Sequence, residues 1–68
     1  MNTYEYETAA KNILAGSPVD AADFITQMTA YDATQANLRI KESLQNLRLT
    51  SILTNANNIL VNDAIGLL

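Results

Sequence analysis

SPVDAADFITQMTAYDATQ, residues 17–35, carries the punctuation that organises this chain. Gly16 stands immediately before it, and Ser17, Pro18 and Asp20 open it. A glycine tolerates the positive φ that a helix C′ position needs, so Gly16 reads as the stop of one helix. Ser17 reads as the N-cap of the next. Pro18 sits at the first helical position, where its missing N–H costs nothing, and Asp20 falls at N3 to complete a capping box. The junction therefore predicts helix, turn, helix, and an all-α fold.

On the N-terminal side, TYEYETAAKNILA predicts a short helix over about residues 3–15, followed by a turn at 16–18. Glu5 and Glu7 favour its positive end, and Lys11 stands one turn beyond Glu7. Tyr6, Ala10, Ile13 and Leu14 share one face. On the other side, no Gly or Pro interrupts residues 19–65, which predicts a long helix over about 18–48. Phe24, Met28, Tyr31, Gln35 and Leu38 follow a 4-3-4-3 spacing along it, the seam of a coiled coil. A second stripe takes over at Ile40, Leu44 and Leu47, and a third runs through Leu49, Ile52 or Leu53, Ala56 and Leu60. The apolar face thus moves around the axis. A helix with more than one neighbour does this, and so do two helices broken near 48–51 with Thr50 as a fresh N-cap and a C-terminal helix over about 50–65.

Sixty-eight residues make one domain at most. A chain this small usually needs a disulfide, a metal or a partner. It has no Cys and no His, which excludes disulfides and Cys/His zinc sites and leaves a protein partner as the expected source of order. The net charge is −3, with four basic residues, which argues against nucleic acid. No apolar run approaches the roughly 18 residues of a membrane span, and the N-terminus lacks the basic and apolar regions of a cleaved secretory signal. Residues 49–62 hold no charge but include Asn55, Asn57, Asn58 and Asn62, a pattern suited to burial against other chains.

Catalysis has little to work with. The general base His and the thiol nucleophile are missing, and Ser17, Ser43 and Ser51 have no nucleophile-elbow context. Asp20 with Asp23 reads as a cap and its first-turn companion, and Tyr4, Tyr6, Tyr31 and Phe24 read as packing residues. No cofactor, metal or small-molecule ligand is expected, and no enzyme.

PVDAADFITQMTAYDATQ, residues 18–35, resembles the N-terminal segment of the flagellar hook-capping protein family. The residues that carry the resemblance are Pro18, Asp20, Asp23, Phe24, Thr26, Gln27, Met28, Ala30, Tyr31 and Gln35. Ala64, Ile65, Gly66 and Leu67 are similar to the turn that ends the family's polar helix. The family's Asn-Gln-Asp-Pro run is replaced here by Leu14-Ala15-Gly16-Ser17. SILTNANN, residues 51–58, is similar to the terminal helix of flagellins, and TQANLRI, residues 34–40, to a hook and rod C-terminal helix. Type III secretion needle subunits share the two-helix plan with a Pro-containing turn.

The resemblance implies a structural subunit of an extracellular, hook-cap-like assembly, exported without a cleaved signal and packed against copies of itself or other subunits. A virion, tail or needle subunit, or a cytoplasmic helical adaptor that binds a partner helix, has the same sequence physics. In this reading Ser17, Pro18 and Asp20 cap the long helix, and Tyr6, Ile13, Leu14, Phe24, Met28, Tyr31 and Leu38 pack within the chain. Leu49, Ile52, Leu53, Ala56, Ile59 and Leu60 form the subunit interface.

Overall fold

Among the described residues, Asp20 and Thr54 are the side chains that cap helix N-termini, in place of the Ser17 and Thr50 that the local pattern sets there. In the computed structural model, which describes residues 3–31, 37–50 and 53–68, helix α1 spans Thr3–Ala15, α2 Ala21–Tyr31, α3 Asn37–Thr50 and α4 Asn55–Leu67. The described residues contain no strand, so the fold is all-α.

The end of α1 tightens into i→i−3 bonds. Gly16 N donates to Ile13 O at 3.0 Å, and Ser17 N to Leu14 O at 3.1 Å. The left-handed residue is therefore Ser17, at φ 57°, and Gly16 does not take positive φ. Ser17 is spent on ending α1 and caps nothing. The N-cap of α2 is Asp20, three residues later than the sequence pattern places it. Its Oδ1 accepts from Asp23 N at 2.8 Å, and its carbonyl accepts the first helical bond from Phe24 N at 3.0 Å. Asp23 Oδ2 reaches back to Val19 N at 3.2 Å, closing a capping arrangement. Pro18 precedes the helix and is not its first residue.

The expected long helix over 18–48 is corrected in the same way. A straight helix over residues 21–50 is about 45 Å long, whereas the longest dimension of the molecule is 30 Å. Helices α2 and α3 are separate elements that occupy different places in the bundle, with Gln35 and the rest of residues 32–36 outside the described residues. At the other break, Thr50 is no cap. It is the last residue of α3, and its hydroxyl donates to Asn46 O at 2.7 Å. The cap of α4 is Thr54, with extended backbone at φ −64° and ψ 161° and its Oγ1 accepting from Asn57 N at 3.1 Å.

None of these helices is long enough to stand alone in water, and the four share one core. Helix α1 packs on α2 and α3, and α4 closes the bundle against α2 and α3. Tyr6, Ala9, Ala10, Ile13 and Leu14 come from α1, and Phe24 and Met28 from α2. Ile40, Leu44 and Leu47 come from α3, and Val61 and Ala64 from α4. The expected second stripe is thus the whole apolar side of the α3 core face. Ser43, also buried there, donates to Arg39 O at 2.9 Å, so its hydroxyl is satisfied within its own helix.

Two expected packing residues lie elsewhere. Tyr31 and Leu38 are exposed at 51% and 65%. Their assignment assumed one helical phase through residue 38, and the phase is reset between α2 and α3. The expected interface set is also redistributed. Leu53 and Leu60 pack against the chain's own core, Leu49, Ala56 and Ile59 are exposed, and Ile52 lies outside the described residues.

Candidate association surface

The outward faces of the helices are the surfaces left once the core is assigned. At 3.6 residues per turn, Leu38, Glu42, Gln45 and Leu49 fall on one line down α3, opposite Ile40, Leu44 and Leu47. Both leucines on that line are exposed, Leu49 at 78%. They are about 16.5 Å apart along the axis. Arg39 and Lys41 flank Leu38 on its two sides, and Arg48 flanks Leu49.

Polar ties fix α3 against both neighbours. The Asn46 amide donates to Glu7 Oε1 of α1, and Arg48 Nη1 donates to Asn62 Oδ1 of α4 at 2.7 Å. Tyr4 lies one turn from Glu7, and Leu49 lies one turn from Asn46, so two exposed apolar side chains flank the same inter-helix contact. These ties hold the outward line of α3 to a defined orientation on the bundle.

Away from α3, the outward threonines of α1 and α2 turn their hydroxyls to their own helices. Thr8 donates to Tyr4 O at 3.0 Å, Thr26 to Ala22 O at 2.9 Å and Thr29 to Ile25 O at 2.9 Å. A threonine whose hydroxyl is tied to the preceding turn offers solvent its methyl group instead. With Ala22 and Ala30, Thr26 and Thr29 give α2 an outer face without charge. Only 16% of the residues are charged, against about 25% in a typical soluble domain.

The described residues form no pocket, and no three of their carboxylates gather into a group suited to a metal. Asp20 and Asp23 are occupied as helix caps, and Asp23 Oδ2 also accepts from Gln27 Nε2 at 2.9 Å. No helix among the described residues is long and apolar enough to cross a membrane.

Of the expected site residues, the structure brings Tyr6, Ile13, Leu14, Phe24 and Met28 together in one core, with Leu53 and Leu60 against it. It separates Tyr31, Leu38, Leu49, Ala56 and Ile59 as surface residues. Sequence reasoning missed Val61 and Ala64 as core and Asp23 as a capping partner. The signal for the first was available: Leu60, Val61, Ala64, Ile65 and Leu68 recur at helical spacing. No family model matches the chain, and neither a curated protein nor a solved structure matches it.

Proposed function

We propose that this chain is a structural subunit that acts by association with other protein subunits, copies of itself among them, and not by catalysis. The carrying observation is the outward line of α3, where Leu38 and Leu49 stand exposed although the chain has buried a core from all four helices. Single exposed apolar residues are ordinary. Two on one fixed helix face, bounded by Arg39, Lys41 and Arg48, give α3 an outward line that offers a partner both apolar and charged contacts.

Association is added to a folded protomer in this reading. The setting, an extracellular hook-cap-like assembly reached by export without a cleaved signal, rests on the resemblance of residues 18–35 to the hook-capping family. Light scattering on the purified chain tests the association. The expected mass rises with concentration above the 7.4 kDa of one chain. A folded monomer at every concentration up to ~100 µM, a range covering micromolar affinities, overturns it. Fractionation of the native source tests the setting: sheared filaments or supernatant are expected to hold the chain, and retention in the cytosol overturns the extracellular placement.

A further inference from the structure

We infer that Leu38 of one copy, with Arg39 and Lys41 on either side, receives the Val19 corner of a second copy, where Asp20 and Asp23 stand beside the valine. The inference rests on the association proposed above and names its surfaces.

The receiving side follows from charge. Helix α3 carries Arg39, Lys41 and Arg48 against Glu42, a net +2. The rest of the chain carries six carboxylates against Lys11, a net −5. Packing α3 on the α3 of another copy sets like charge on like charge. The occupant of this face is therefore an acidic surface, and the chain's own second copy supplies one.

The inserting side follows from exposure and order. Val19 is the most exposed large apolar residue described, at 87%. It is held in place, since its N–H donates to Asp23 Oδ2 at 3.2 Å and Asp23 N in turn donates to Asp20 Oδ1. The left-handed Ser17 and the ring of Pro18 precede it. A corner already fixed by such bonds loses little freedom on docking. Asp20 and Asp23 set two carboxylates beside the valine, which complement Arg39 and Lys41. The apolar pair supplies the contact, and the charges set register and partner choice. Tyr4, beside Glu5, and Ile59 and Leu67, each one turn from Asp63, also stand exposed near a carboxylate, but none of them is held by a hydrogen bond to that carboxylate as Val19 is by Asp23.

Charge exchange tests this. One variant carries Arg39→Glu with Lys41→Glu, and a second carries Val19→Lys with Ala22→Lys, all at exposed or half-buried positions. Each alone is expected to weaken self-association at least tenfold in sedimentation velocity, with the wild-type circular dichroism spectrum. Mixed at equal concentration, they are expected to associate again, because the acidic α3 of one now meets the basic corner of the other. Should the second variant lose helix, Asp20→Asn with Asp23→Asn replaces it, since asparagine still caps; the expected loss of self-association is the same. A wild-type chain that stays monomeric overturns both this inference and the proposed function. A wild-type chain that associates, with variants that associate equally well or a mixture that fails to recover, overturns this inference and leaves the function standing.

Discussion

Asp20 takes the cap that the pattern gives to Ser17, and Ser17 takes the left-handed turn that it gives to Gly16. A serine three residues before an acidic residue, just after a glycine, has the pattern of an N-cap, yet the backbone assigns Ser17 the left-handed turn and Asp20 the cap. The left-handed region costs a non-glycine residue roughly 1–2 kcal/mol. Ser17→Gly removes that strain while adding freedom to the unfolded chain, so a net gain of about 0.5–1 kcal/mol is expected. Asp20→Ala removes a cap and is expected to cost about 1 kcal/mol. In thermal melts the first variant should unfold several degrees higher and the second several degrees lower, because 1 kcal/mol shifts a domain of this size by roughly 4–8 °C. If Ser17→Gly melts lower instead, the serine hydroxyl contributes something that its conformation does not reveal. Gly66 offers a simpler case. It lies inside α4, and a Cβ there meets nothing within 4 Å. Gly66→Ala should raise stability by about 0.5–1 kcal/mol, the difference in helix propensity, unless a partner occupies that space in the assembly. Comparing melts below and above the association threshold separates the two effects.

Helix α4 is where sequence pattern and packing diverge most. Its charge-free run with four asparagines suggested a surface kept for other chains, but Val61 and Ala64 sit in the shared core. Val61→Asp places an unpaired carboxylate in the shared core and is expected to unfold the chain, given a total stability of only a few kcal/mol. Tyr31→Asp and Leu38→Asp, at exposed positions, should leave the melt within about 0.5 kcal/mol of wild type. Urea titrations of the three variants check this, and a Leu38→Asp chain that unfolds with Val61→Asp would place Leu38 in the core after all. The helical class and the α1 core face were readable because Tyr6, Ala10, Ile13 and Leu14 keep strict phase inside one helix. The α2–α3 boundary was not readable. It contains no Gly or Pro, and the 4-3-4-3 spacing runs through it by coincidence of phase. The exposed position of Leu38 on α3 was hidden for the same reason, since Leu38 looked like the next rung of a seam that had already ended at Met28.

The dimensions of the molecule bear on whether it folds before it associates. Its accessible surface is 4122 Å², and a folded monomer of this mass exposes about 4,200 Å². The Cα radius of gyration is 10.4 Å, against roughly 11 Å for a compact domain of this length. A chain that needed a partner to complete its core would exceed both. Buried side-chain polar groups among the described residues are also all satisfied, so no internal hydrogen bond waits for a second subunit. Stability per residue in small domains implies a total of roughly 3–10 kcal/mol, enough to keep the monomer folded on dilution. Helicity is therefore expected to be the same at ~1 µM and ~100 µM, while the melting temperature rises with concentration as binding to the folded form alone adds RT ln(1 + [L]/Kd). Far-UV circular dichroism at the two concentrations distinguishes the cases. Superimposed spectra with a rising melting temperature place association after folding, as the intact core requires. A spectrum that loses helix on dilution would mean that the four helices hold together only inside the assembly, and that the interface contributes to the fold itself.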